Sequence, residues 1–397
     1  MAALARVTLK RGRDESLRRG HPWVFSGAVE RVDGNPARGE LVQVNAADGS
    51  FRALAAWSPD SQIRLRAWTM DPAEPVDDNF FRRRLEQALA ARRLLGLLQP
   101  DGGCRLIHGE ADGLPGLIVD HYAGYLVCQF LSAGAETWRD LLLDLLEELL
   151  TPSGIFERSA ASARRREGLP SRQGLLRGTA PPDPVEIRSR KLRMLASIAH
   201  GQKTGAYLDQ QDNHWRVAQH AAGARVLDVF AHTGGFALAA LTAGAGEATL
   251  VESSADTLEQ ARQQAALNGL AERCRFVVDN AFEQLRALLD AGERFDLVVL
   301  DPPKFVHNAG QLKRGARGYK DINRLGMALL KPNGLLATFS CSGNVDRPLF
   351  QKILAGAALD AGRQASIVEQ FGQSADHPIA LAVPDSEYLK GFLLQVR

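Results

Sequence analysis

Cysteine is scarce: there are four in 397 residues, at Cys104, Cys128, Cys274 and Cys341, and none forms a C-x-x-C pair. That excludes a disulfide scaffold, argues against a zinc site and fits a reducing cytosol. Long apolar runs are missing too. No stretch of 18 apolar residues occurs, so no transmembrane helix is expected. The opening MAALARVTLKRGRDESLRRG lacks the continuous apolar segment of a secretory signal, so a cytoplasmic location is expected. Glycine and proline show no triplet period, which excludes a collagen-like chain. Neither charge sign dominates, with 48 Lys and Arg against 46 Asp and Glu.

What is there is an ordinary globular composition, 45% hydrophobic and 24% charged, long enough for two or three domains. Charge is placed unevenly. Arg158 to Arg193 holds ten Arg and Lys against three acids, and Lys304 to Arg324 holds six against one. Such stretches suit a polyanion, because phosphate contact depends on local field, although solvated faces or a loop would read the same way.

The first 72 residues read as β. Leu41–Ala46, Arg52–Trp57 and Ile63–Trp68 are short strand-like runs between turns. Asp71–Asp78, with two prolines and four acids, reads as a linker before an amphipathic helix over Asn79–Leu98. Residues 73–190 form a middle α/β block, with strands at Leu117–Asp120 and Tyr125–Leu131 and a helix at Glu136–Leu150. Ser171–Asp183 reads as a loop. From 191 to 397 strands and helices alternate, which predicts a doubly wound parallel sheet. In this region only Arg324–Leu330 reads as helical between the fourth and fifth strands.

Ligands of such sheets bind at the carboxyl ends of the strands. The strand Arg225–Phe230 runs into Ala231, His232, Thr233, Gly234, Gly235 and Phe236, a glycine turn that opens a helix. The next strand ends at Glu252, 24 positions after Asp228, where a carboxylate suits two ribose hydroxyls. The third ends at Asp279 and Asn280, and the fourth at Asp301-Pro302-Pro303. The turn is not G-x-G-x-x-G, and its His232 and Phe236 suit adenosine plus an amino acid, as in S-adenosylmethionine, better than a pyrophosphate. The final strand Gly391–Val396 fits a sheet whose last strand inserts antiparallel.

These residues, with RRGHPWVFSGAV at Arg18–Val29, HGEADGLPGLIV at His108–Val119, GQKTGAYLDQ at Gly201–Gln210, FAHTGGF at Phe230–Phe236 and LDPPKF at Leu300–Phe305, resemble the ribosomal RNA large subunit methyltransferase I family. RGYKDINRL at Arg317–Leu325, SCS at Ser340–Ser342 and DHP at Asp376–Pro378 extend the resemblance over essentially the whole chain. It implies an N-terminal PUA domain that binds RNA, a small middle α/β domain and a C-terminal class I methyltransferase domain. It also implies methylation of carbon 5 of a cytosine in 23S ribosomal RNA, and a possible homodimer. The cofactor would be S-adenosylmethionine on Phe230–Phe236, with Glu252 at the ribose, Asp279 and Asn280 at the adenine, and Gln202 and Thr204 toward the methionine. After Asp209-Gln210 the family usually has two arginines three residues apart, where this chain has Gln211 and His214. His232 stands where a tyrosine is usual.

Cytosine carbon 5 becomes nucleophilic only after a thiolate adds to carbon 6. Cys341, ending the fifth strand, is the expected nucleophile, and Asp301 the group that holds the base. Pro303 and Lys304 follow where many such enzymes carry a second cysteine. Water or a group near Lys304, Tyr319 or His377 is left to take the proton. Two alternatives stay open: methylation of a guanine nitrogen without a cysteine, and a non-catalytic ribosome-assembly factor.

Overall fold

The computed structural model describes residues 4–159, 162–199 and 204–397. Period-two patterning in the first 70 residues becomes a six-stranded sheet. Its order is Trp23–Phe25, Ile63–Thr69, Phe51–Trp57, Leu41–Asn45, Arg6–Leu9, Val29–Asp33. Every pair is antiparallel except Arg6–Leu9 with Leu41–Asn45, where Val7 lies opposite Val44. Alternate side chains point inward, so Val7, Leu9, Val42, Val44, Ala53 and Ala55 are all buried. Three of these strands escape a sequence reading because they are only three to five residues long, too short for alternation to show.

Helix Asp78–Leu94 starts where the Asp77 carboxylate accepts from Phe80 N at 2.9 Å. It packs Phe80, Phe81, Leu85 and Leu89 into the core of a five-stranded sheet, ordered Arg172–Gly178, Gly154–Ser159, Tyr125–Phe130, Leu117–Tyr122, Gly103–His108. Residues 172–178 are therefore an edge strand and not the loop expected. Gly178 allows the pairing, since a Cβ there would stand 3.0 Å from Gly154 Cα. The basic stretch starting at Arg158 is not wholly solvated either. Arg164 is fully buried, its guanidinium donating to the Phe130 and Pro170 carbonyls at 2.5 and 2.6 Å and to Glu136 at 2.7 Å. Those acceptors make a buried charge tolerable.

The C-terminal region builds a seven-stranded sheet. Its strands are β1 (Arg225–Val229), β2 (Glu247–Glu252), β3 (Cys274–Val278), β4 (Phe295–Leu300), β5 (Leu330–Ser340), β6 (Ala365–Gly372) and β7 (Lys390–Val396). The spatial order is β3-β2-β1-β4-β5-β7-β6, with β7 antiparallel to both neighbours. β1 and β4 are buried on both faces, hence their unbroken apolar runs. Chain order reverses between β1 and β4, and that switch point is where a doubly wound sheet opens a crevice.

Between β4 and β5 the helix spans Leu312–Ala328, far more than the short piece expected. Gly315, Gly318 and Gly326 hide it in the sequence, because glycine lowers helix propensity. Their reason is packing: a Cβ at Gly315 would strike Val306 and lie 2.8 Å from the Phe305 carbonyl. The helix thereby holds the loop after β4. The chain divides into two compact units. One comprises Met1–Ile187, Ala196–Leu208 and Ala375–Ser386, and the other Arg188–Leu195, Asp209–Ser374 and Glu387–Arg397. Among the described residues no helix is long and apolar enough to cross a membrane.

Candidate active site

The chain leaves β1 through a strained turn. Phe230 and His232 adopt positive φ, +62° and +49°, and Gly234 follows at +84° before helix Gly235–Thr242. Such backbone costs on the order of 1–3 kcal/mol per non-glycine residue and persists where surroundings enforce it. Here Ala231 N donates to Val251 O at 3.0 Å, His232 N to Glu252 Oε2 at 3.0 Å, and buried Gln264 donates to the Thr233 carbonyl at 2.9 Å. Gly234 cannot be larger, since a Cβ would lie 2.9 Å from Leu250 Cδ2.

Beneath the turn, Asp228 accepts from Ala237 N at 3.0 Å through Oδ2, while its buried Oδ1 has no hydrogen-bond partner among the described residues. Burial, with the Asp301 and Glu252 charges adding, pushes its carboxyl up to about 7. An orphaned buried acceptor beside a glycine turn fits a ligand that brings a donor or a cation. Glu252 gathers main-chain donors. Its Oε1 accepts from Ser253 N and Ser254 N at 2.8 and 3.1 Å, and Oε2, which takes His232 N, has capacity left for a hydroxyl. Asp279 N donates to the Glu252 carbonyl at 3.1 Å, which ties the β2 and β3 ends together. Asn280 does something else as well: its Oδ1 caps helix Ala281–Asp290 through Phe282 N at 2.9 Å, leaving only its amide NH₂ for a ligand. Phe230, Phe282 and Tyr319 surround Phe305, with ring centroids 6.4, 6.1 and 4.8 Å away.

Asp301, just past β4, bonds through its N to Val229 O at 3.4 Å. Its Oδ2 accepts from Gln210 Nε2 at 3.0 Å. Buried Gln210 is itself aimed by Asn213, whose Nδ2 reaches Gln210 Oε1 at 2.6 Å and the Gly372 carbonyl at 2.7 Å. Sequence reasoning misses this support, although Gln210 ends the GQKTGAYLDQ segment. Asp209 accepts from the Tyr388 hydroxyl at 2.7 Å.

Cys341 leaves β5 at the same carboxyl rim and is half-buried. Its serine neighbours are fully buried, and Ser342 Oγ bonds Val306 N at 3.2 Å and the Tyr319 hydroxyl at 2.9 Å. Cys104 and Cys128 are buried in the other unit, where burial pushes both thiols far up. Cys274 opens β3 at the opposite rim, and burial raises it to about 11.

The remaining expectations separate. Gln202 lies outside the described residues. Thr204 belongs to the other unit, where its buried hydroxyl donates to Asp120 at 2.5 Å and meets the Tyr122 hydroxyl at 2.9 Å. His377 is buried there too, 2.8 Å from Asp376. His214 sits edge-on to Phe236, 4.5 Å between centroids, and burial lowers it to about 4. It is a neutral packing ring, not a substitute for an arginine. Of the basic residues after β4, Lys320 pairs with Asp360 and Arg324 with Asp321, while Lys304, Lys313, Arg314 and Arg317 are exposed.

A 3-2-1-4-5-7-6 sheet with a glycine turn after β1, an acidic end to β2 and an orphaned carboxylate beneath defines a class I S-adenosylmethionine-dependent methyltransferase. The chain matches the PUA-like domain family over residues 7–70 and the S-adenosylmethionine-dependent methyltransferase family over 105–369. Over 392 residues it is 48% identical to the ribosomal RNA large subunit methyltransferase I of Aeromonas salmonicida, covering 98% of this chain and 99% of that protein. The Escherichia coli O139:H28 protein of the same name is 47% identical over 394 residues, again 98% and 99%. A chain described as an S-adenosylmethionine-dependent methyltransferase from Streptococcus mutans shares the fold, with TM-score 0.83 at 19% identity over 98% of this chain and 99% of that one. A methyltransferase structure solved with S-adenosylhomocysteine is similar to the same degree, with TM-score 0.84 at 19% identity and the same coverage. The chain belongs to the ribosomal RNA large subunit methyltransferase I family.

Proposed function

We propose that this protein methylates carbon 5 of a cytosine in 23S ribosomal RNA through a covalent adduct with Cys341. The observation that carries the reading is the position of Cys341, half-buried at the carboxyl rim, on the strand next to the one ending in Asp301. The relatives are named for large-subunit ribosomal RNA, and the PUA-like domain and the exposed Lys304, Lys313, Arg314 and Arg317 suit phosphate contact.

Phe230, His232, Thr233, Gly234, Gly235 and Phe236 would cradle the cofactor, with Glu252 at the ribose, Asp279 and Asn280 at the adenine, and Asp228 Oδ1 toward the ammonium group. Bound S-adenosylmethionine supplies an electrophilic methyl group on a sulfonium. The target base leaves its stack to enter the site. The Cys341 thiolate forms a bond to carbon 6, and the electron pair displaced from the double bond makes carbon 5 nucleophilic. Asp301, steadied by Gln210, accepts from the exocyclic amino group. After methylation the carbon 5 proton passes to water, the C–H electron pair restores the carbon 5–carbon 6 double bond, and the sulfur–carbon bond breaks with its pair leaving on Cys341 as thiolate.

The test is nucleoside mass spectrometry of 23S RNA from a strain lacking the gene, complemented with wild type or Cys341→Ala. One 5-methylcytidine should vanish in the deletion and return only with wild type. Restoration by Cys341→Ala would remove the adduct from the mechanism. A mark on a guanine nitrogen would overturn the cytosine assignment. An unchanged methylation pattern would favour an assembly factor.

A further inference from the structure

Lys390 carries a charge that the chemistry above does not use. It opens β7 directly opposite Ser340 of β5 in the antiparallel register, one residue before the cysteine. Only 3% of it is exposed. Its Nζ donates to the Ser342 carbonyl at 2.8 Å and to the Val345 carbonyl at 2.7 Å, both on the turn that leaves β5 through Cys341. Both acceptors are neutral. The acids whose field reaches the ammonium are Glu387 and Asp346, and Glu387 is paired with Arg347 at 3.0 Å. A buried ammonium held by carbonyls keeps much of its charge uncompensated, and burial accordingly pulls Lys390 below the usual lysine range. Cys341 is within its field. Among the described residues Tyr319 also interacts with the thiol, and burial raises it so that it stays neutral, while Asp301 follows the adjacent strand.

We propose that Lys390 is the positioning cation of the nucleophile: it clamps the Ser340–Val345 turn through two carbonyls and supplies the positive charge against which Cys341 ionises. The proton of the thiol goes to solvent and the electron pair stays on Sγ, ready to attack and, later, to leave. The inference rests on the reading of Cys341 as nucleophile. It assigns β7 a second task beyond completing the sheet.

The experiment is the pH dependence of Cys341 alkylation by iodoacetamide, followed by peptide mass spectrometry on the full-length protein without RNA. Wild type should show a midpoint at least one pH unit below that of Lys390→Met, with Lys390→Arg close to wild type. Lys390→Met should lose at least tenfold in kcat while the KM for RNA and the affinity for S-adenosylhomocysteine change less than twofold. A purely structural clamp would move the last two and leave the midpoint alone. Coincident midpoints in wild type and Lys390→Met overturn the proposal. So does a wild-type midpoint at or above that of an ordinary thiol, about 8.5, a result that requires no variant to fold. If Cys341→Ala still methylates RNA while the wild-type midpoint is low, the nucleophile assignment fails and the charge coupling stands. If Cys341→Ala is inactive and the midpoints coincide, the reverse holds.

Discussion

The side-chain amide of Gln210 donates to the Asp301 carboxylate at 3.0 Å, and its orientation is not free. Asn213 fills the opposite end of that amide at 2.6 Å, so the nitrogen must face Asp301. The carboxylate is thus held by a neutral donor that does not quench its charge.

Gln210→Ala should leave one Asp301 oxygen without this donor, a loss worth about 1–3 kcal/mol, or roughly 5- to 150-fold. If Asp301 holds the base as proposed, the loss should appear in kcat more than in the KM for RNA. Gln210→Glu should be worse, since two carboxylates would face each other, and its activity should recover toward acid pH. Steady-state kinetics across pH 6 to 9 checks both. Equal falls in kcat for the two variants with no difference in pH profile would show that the amide only fills space.

Asp228 sets a pH dependence of its own. Its folded carboxyl lies near 7 against 3.8 when exposed, so the folded state holds the extra proton between those values. Stability supplied by that proton is complete below 3.8 and is lost as pH rises through 7. By linkage the swing is on the order of 4 kcal/mol. Asp228→Asn, which stays neutral, should therefore gain stability over wild type as pH rises from 4 to 8 in urea unfolding without cofactor. The same variant should bind S-adenosylhomocysteine more weakly by calorimetry at pH 8, because the orphaned acceptor loses its charge.

Gly235 lies against the imidazole of His214, and a Cβ at position 235 would stand 2.7 Å from Nε2. Gly235→Ala should cost about 1–3 kcal/mol through overpacking and weaken cofactor binding. His214→Ala in the same background should recover part of that loss, although each change alone destabilises. A double-mutant cycle by urea unfolding measures the coupling, and strict additivity would show that the ring moves aside freely.

Much of the sheet is legible in the amino-acid sequence alone, because each parallel strand includes a short apolar run followed at one rim by a polar residue or cysteine: Glu252, Asp279, Asp301 and Cys341. What stays hidden depends on contacts distant in sequence. Gln210 meets Asp301 across 91 positions, and nothing local marks it. The Leu312–Ala328 helix is obscured by glycines that serve close packing, Gly315 on the Phe305 backbone, Gly318 on the Phe305 ring and Gly326 on Leu300, and not the helix itself. Arg164 reads as one more surface charge until Phe130, Pro170 and Glu136 close around it. Asn280 shows the opposite case: Glu283 follows it at capping-box spacing, so its helix-starting role is readable beside the ligand role proposed for it.

The interior position of β7 has a consequence for how the enzyme is made. Among the described residues Ala365–Gly372 pairs with no other strand, so as the ribosome delivers it this segment waits with both flanks open until Lys390–Val396 emerges and slips in beside Leu330–Ser340. Deleting those seven residues would leave Ala365–Gly372 without a partner and turn Leu330–Ser340, still paired with Phe295–Leu300, into the sheet edge. Lys390, which holds the Ser342 and Val345 carbonyls, arrives with the same piece, so the turn after Leu330–Ser340 gains that clamp only once Lys390–Val396 is in place.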